Sequence, residues 1–162
     1  MATVTNIGHV NNAIRLTNQI SNIYIGLGTG GVDTNETKLN TFLGVRRADT
    51  VSLARLIPAT ETYTGSYVLY GGNKYELVSQ ANAYIKKANY VYIKTTLAPD
   101  ELPGKSYDTV ALLTSPTFKV GVTGDVVPSA SVVNQGFLEM YETREALDRS
   151  NLKVTEQFII EA

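Results

Sequence analysis

Apolar and polar residues alternate through much of the chain, and this pattern points to strands. Two clear cases lie near the end. In Phe137-Leu138-Glu139-Met140-Tyr141, Phe137, Glu139 and Tyr141 share one face and Leu138 and Met140 the other. In Val154-Thr155-Glu156-Gln157-Phe158-Ile159-Ile160, Val154, Glu156, Phe158 and Ile160 face away from Thr155, Gln157 and Ile159, because side chains two apart on a strand point the same way. Glu156 therefore stands in an otherwise apolar row, where a carboxylate is costly unless paired or hydrogen-bonded. The connection, Glu142 to Lys153, offers Arg144 and Arg149. The pattern predicts a β-arch or hairpin whose connection is tied to a strand by an Arg–carboxylate pair. A planar guanidinium suits this because it can engage both carboxylate oxygens at once. The alternative is three solvated surface charges, which contribute little.

Elsewhere the period changes once. From Val4 to Ser21, Ile7, Val10, Ile14, Thr17 and Ile20 recur at helical spacing, with Thr5 or Asn6 as cap, which predicts an N-terminal helix over about 4–21. His9 falls off that stripe and is expected to be exposed. Asn22-Ile23-Tyr24-Ile25 reads as a strand, and Gly26-Leu27-Gly28-Thr29-Gly30-Gly31 after it spells G-x-G-x-x-G. One reading is a dinucleotide-binding turn; the other is a flexible or tightly turned glycine loop. No strongly apolar helix and no βαβ alternation follow, so the match stands isolated. Residues 37–49 read as a short helix around Leu39, Phe42 and Leu43 ended by Gly44, and residues 50–57 as a strand or short helix. Residues 62–78 suggest a hairpin turning at Gly71-Gly72-Asn73. Asn89 to Thr96 (NYVYIKTT) is the strongest strand by composition. Residues 97–106 read as a loop with a Pro103-Gly104 turn, 108–115 and 118–122 as strands, and 123–135 as an exposed loop or extended arm, a template for pairing with a neighbouring subunit. The sum is a mainly β (α+β) chain: an antiparallel sheet or β-sandwich core with a short N-terminal helix and long loops, in a single domain spanning 1–162.

Composition narrows the function. The formal net charge is −1, without the basic excess of a dedicated nucleic-acid binder. Charged residues make up 18%, below the usual quarter, as suits a surface partly covered by partners. With no cysteine and one histidine, thiol chemistry is excluded and a zinc site is not expected. No apolar run is long enough for a membrane helix, and no signal-peptide pattern opens the chain. Arg46-Arg47 is the most basic spot, read as a solvated or partner-facing pair or as a phosphate contact. No paired-carboxylate or Ser/His/Asp set stands in a recognisable catalytic context, so the expectation is a protein that is not an enzyme and has no cofactor and no metal.

The terminal stretch also resembles a known family. Tyr141-Glu142-x-Arg144, then Arg149-Ser150, then Thr155-Glu156 before a final apolar strand is similar to the C-terminal signature of a baseplate wedge family of T-even-like, contractile-tailed bacteriophages. Leu102-Pro103-Gly104 followed by Val110 to Pro116 is similar to an upstream segment of that family. The resemblance implies a mostly β structural virion protein of the tail or baseplate, made in the host cytoplasm. It would hold neighbouring tail and baseplate proteins in register and would assemble with itself as a homodimer; charge and hydropathy add the expectation that it binds neither nucleic acid nor membrane. It makes Tyr141, Glu142, Arg144, Arg149, Thr155 and Glu156 a structural and assembly cluster. The alternatives are another tail, head–tail connector or fibre-attachment component, and, more remotely, a nucleotide-binding enzyme using Gly26 to Gly31.

Overall fold

The computed structural model describes residues 1–102 and 106–162. One α-helix, α1 (Asn6–Thr17), precedes strands β1 (Ile23–Val32), β2 (Leu39–Arg47), β3 (Thr50–Leu56), β4 (Val68–Tyr70), β5 (Asn73–Val78) and β6 (Tyr90–Leu97). There follow β7 (Ser106–Thr114), β8 (Thr117–Phe118), β9 (Val126–Pro128), β10 (Val132–Asn134), β11 (Phe137–Asp148) and β12 (Val154–Glu161). The mainly β, antiparallel class with a short N-terminal helix is what the sequence predicts. Contacts divide the chain into two compact units, one of residues 1–20, 50–94 and 157–162, the other of residues 21–49 and 95–156.

In the first unit, Thr5 caps α1 by accepting from the Gly8 N–H at 3.0 Å. The helix buries Val10 and Ala13 and lies against β3. Ile7, assigned to the buried stripe from its spacing, is instead 64% exposed. His9, expected outside, is half-buried, and its Nδ1 hydrogen-bonds the Ala162 oxygen at 2.6 Å. The sheet order is β12-β6-β3-β5-β4. β4 and β5 form the predicted hairpin through Gly71 and Gly72, both at positive φ (56° and 79°), as a two-residue hairpin turn requires. Residues 62–67, expected to begin that hairpin, form no strand.

A glutamine links the two edge strands of this sheet. Gln157 on β12 accepts from the Tyr92 hydroxyl at 3.0 Å and donates to the Leu69 carbonyl on β4, also at 3.0 Å. One face of the sheet holds Ala54, Tyr75, Tyr92 and Ile159, flanked by Val68, Tyr70 and Tyr90. Tyr75 and Tyr90 meet edge to face with ring centroids 5.3 Å apart, a favourable aromatic geometry. The tyrosine-rich middle third is thus largely core here, although Tyr67 and Tyr84 are exposed.

On the other face of this sheet an ion cluster pins the flanking loops. Arg55 Nε donates to Glu76, the two Arg55 Nη atoms reach both oxygens of Glu61 at 3.1 and 2.7 Å, and Lys86 takes the second Glu76 oxygen. The Lys86 hydrogen bond, opposed by burial and seconded by Arg55, holds the Glu76 carboxyl below its ordinary value of 4.5. A depressed carboxyl contributes stability that is present above the unfolded-state pKa and disappears as pH falls through the folded-state one. Thermal melts between pH 7 and 3 should therefore show the wild type losing stability below about pH 4.5, and Glu76→Gln losing less over the same interval.

In the second unit the sheet order is β11-β7-β1-β2-β9. β1 runs antiparallel to both β2 and β7, and residues Ile23 to Gly28 are buried without a break. Tyr24, Leu39, Val45, Ala111, Leu113 and Val127 form its core, with Phe42, Phe118 and Leu138 packed around them. Residues 37–49 do not make the predicted helix: Leu39 to Arg47 form β2. Its place beside β1 and β9 overrides a local pattern too short to settle the period. The glycine stretch is likewise not a loop. A Cβ at Gly26 would lie 2.7 Å from Leu113 Cδ1, and one at Gly28 2.7 Å from the Thr41 oxygen, so these two glycines let neighbouring strands close over β1. Gly30 and Gly31, at φ 78° and 75°, form a bulge between the Thr29–Thr41 and Val32–Leu39 pairs. Their N–H groups donate to Asp108 Oδ1 and Thr109 Oγ1, each at 3.0 Å.

Residues 123–135, expected as an exposed loop or extended arm, are drawn into the unit. β9 pairs with β2, β10 pairs with β8, and Val127 is fully buried. Val127 and Val132 find apolar seats that the small polar residues around them conceal in the sequence, while Val133 stays exposed. The predicted strand at 118–122 is reduced to the two-residue β8. The Pro103-Gly104 turn lies outside the described residues.

Candidate functional site

The two closing strands do not pair with each other. β11 lies at the edge of one sheet beside β7, and β12 at the edge of another beside β6. Of the two predicted forms, the connection is therefore an arch and not a hairpin. It is also shorter than expected, because β11 continues to Asp148 and leaves only residues 149–153 between the strands.

β11 owes its reach to a bulge. Thr143 pairs with Thr109 and Leu147 with Tyr107, so four steps along β11 match two along β7. Arg144, Glu145 and Ala146 occupy the excess. A bulge bends a strand and re-aims its side chains, and here Arg144 turns toward Glu156 on β12. Arg144 Nη2 donates to Glu156 Oε2, and the Tyr107 hydroxyl donates to Oε1. Glu156 is 5% exposed and Tyr107 fully buried. The guanidinium thus holds one oxygen and not both, because the tyrosine hydroxyl has taken the other. Tyr107 lies just before the strand that the sequence pattern places at 108–115, and nothing in that pattern marks its role.

The electrostatics follow from this packing. Burial pushes the Tyr107 phenol up, and its hydrogen bond to Glu156 pushes it further. For Arg144, burial works against the charge, but the hydrogen bond and the charge of Glu156 outweigh it and hold the guanidinium above its ordinary range. The Arg144 side chain is 36% exposed, so solvent screens its half of the pair.

Arg149 is a different clamp. It is 1% exposed, and its carboxylate-free cradle is made of backbone carbonyls: Nη1 donates to Ala98 at 3.1 Å, and Nη2 to Leu102 at 2.7 Å and to Glu101. Those three carbonyls belong to a tight turn in which the Glu101 carboxylate accepts from the Ala98 N–H at 2.8 Å. The reading of three solvated charges is therefore excluded for Glu156 and Arg149. Next to Arg149, Asp148 accepts from the Ser150 N–H at 2.9 Å and from its hydroxyl at 2.6 Å, which fixes the first turn of the arch.

The other members of the predicted cluster stand apart from this centre. The Tyr141 hydroxyl donates to Glu36 at 3.0 Å. Thr155 shares a hydroxyl–hydroxyl bond with Thr96 at 3.2 Å. Glu142 is exposed on β11 and feels the charge of Arg144 without an ion pair to it among the described residues. Of Arg46 and Arg47, read as a solvated or partner-facing pair or as a phosphate contact, Arg46 turns inward, its Nη1 reaching Asp49 and, at 3.3 Å, Thr95; Arg47 stays 39% exposed, with its Nη2 donating to the Tyr24 hydroxyl at 3.0 Å. At Gly26 to Gly31 the strand continues, so the strand–turn–helix context of a dinucleotide site is not formed.

The chain is 27% identical over 171 residues to "Virion protein 3" of Enterococcus phage phiEF24C, covering 99% of this chain and 94% of that one. A family model described as "Baseplate wedge 3 tail fiber network component" matches residues 1–162. The chain, over its whole length, belongs to this family of phage baseplate wedge components.

Proposed function

We propose that the chain is a structural spacer of the baseplate: it holds neighbouring tail and baseplate proteins in register and carries out no reaction. The observation behind this reading is the arginine–acid centre. Both Glu156 oxygens and the Tyr107 hydroxyl are committed to one another and to Arg144, and Arg149 is committed to three carbonyls. A general base needs a free lone pair aimed at a substrate proton, and this carboxylate has its hydrogen bonds directed inward. What the centre does supply is a fixed geometry for β11, the arch and the 98–102 turn. Such fixity is what a part that aligns other parts requires. Self-association as a homodimer, and indifference to nucleic acid and membranes, belong to the same reading; sedimentation of the purified chain tests the first.

The direct test compares two alanine variants for thermal stability and for incorporation into particles. Arg144→Ala removes the partner of a buried carboxylate. Lys74→Ala removes a cation 4.7 Å above the Tyr67 ring on the surface, worth about 0.5–1 kcal/mol. Arg144→Ala should melt lower and enter particles less well. Equal melts and equal incorporation would remove the centre from the account.

A further inference from the structure

β11 presents an edge that the rest of the unit leaves open. It stands last in its sheet and pairs on one side only, with β7. Up to Met140 its residues alternate between half-buried and exposed, but the six from Tyr141 to Ala146 are all exposed. A half-covered sheet would bury every second residue. Here residues on both faces of the run are exposed, although the Tyr141 hydroxyl reaches Glu36 and Arg144 reaches Glu156. An unpaired edge of this length is normally guarded by charge or a bulge. β11 has a bulge, at Arg144 to Ala146, and three charges in the run, Glu142, Arg144 and Glu145. Arg144 is neutralised by Glu156, while Glu142 and Glu145 make no hydrogen bond or ion pair among the described residues. The open edge therefore carries two carboxylates that form no ion pair among the described residues.

We propose that this edge, along residues 141–146, receives an extended strand from a different baseplate protein, with lysine or arginine side chains opposite Glu142 and Glu145. The inference rests on the assembly role proposed above and names the chemistry of one partner. In the register centred on residues 141–146, charge selects against a second copy of this chain. A two-fold antiparallel pairing centred on residues 141–146 places Glu142 opposite Glu145 twice, and like charges directly opposite destabilise a strand pair. A basic strand converts the same two positions into attractive cross-strand pairs, with main-chain hydrogen bonds along the edge. The bulge adds selectivity, because an incoming strand must follow the bend at Arg144 to Ala146.

Hydrogen exchange of the isolated chain and of the chain in purified particles tests this. The amides of 141–146 should exchange at least tenfold more slowly in the particle. A carbodiimide, which joins carboxylates to amines without a spacer, should couple Glu142 or Glu145 to a lysine of another virion protein. E142K/E145K should melt like the wild type yet enter particles at least tenfold less often; if that variant is unstable, E142Q/E145Q should show a smaller loss in the same direction. Unchanged exchange in particles that contain the chain overturns the inference while leaving the spacer role standing. A cross-link to a second copy, or wild-type incorporation of the charge-reversed chain, overturns it as well. A chain absent from the baseplate would instead refute the reading beneath it.

Discussion

Arg149→Met is expected to lower the unfolding free energy by about 3 kcal/mol, the largest effect of any single substitution in the arch. Two terms oppose each other. Removing a buried charge recovers its desolvation cost, and methionine fills much of the volume, so this exchange can be neutral where a whole ion pair is replaced. Here only the donor leaves. The Ala98, Glu101 and Leu102 carbonyls stay behind, and each buried group left without a partner costs about 1–3 kcal/mol. The turn can open partly to water, which keeps the sum below the simple total. For a domain of this size the loss corresponds to a melting point lower by roughly 6–12 °C. Arg149→Lys should fall between, since one ammonium keeps the charge but cannot span three carbonyls with a planar fork. Denaturant melts of the three proteins check the order. A methionine variant as stable as the wild type would mean that the cradle contributes nothing.

Glu156→Ala should come second, at about 2–3 kcal/mol. It strands the Tyr107 hydroxyl, which is fully buried, and frees an arginine that is partly in water. The stranded hydroxyl carries most of the cost; the arginine, 36% exposed, is rehydrated and adds little. Glu156→Gln keeps an acceptor for Tyr107 and should lose less. Because Arg144 and Tyr107 meet on one carboxylate, the Glu156→Ala and Arg144→Ala losses should not add in the double variant. Additive losses would show that the two side chains are independent despite their contact.

Much of this was legible beforehand. The row Val154, Glu156, Phe158 marks Glu156 as a buried acid because period-two alternation is a strong signal over seven residues. The hairpin at Gly71-Gly72 and the strand from Tyr90 were legible for the same local reasons. Other features depend on partners distant in sequence. β2 is a strand because β1 and β9 flank it, and nothing within residues 37–49 says so. The glycines after Ile25 look like a loop until Leu39 and Leu113 are seen to fill the space above them. Arg149 was grouped with Arg144 as a partner for an acid, yet it serves backbone carbonyls some fifty residues away, and carbonyls leave no trace in a sequence pattern. The terminal signature identified the family, while its six residues fall into separate contacts: Arg144 and Glu156 together, Tyr141 with Glu36, Thr155 with Thr96, Arg149 in its cradle, and Glu142 on the open edge.

The measurement that bears most directly on the spacer role is a cryo-EM map of the intact particle at side-chain resolution. The account predicts this chain in the baseplate, touching at least two different neighbouring proteins, with Arg144, Tyr107 and Glu156 still joined and Arg149 still inside its carbonyl turn. A chain bound at the periphery by a single neighbour, or a centre opened around a small molecule, would contradict it.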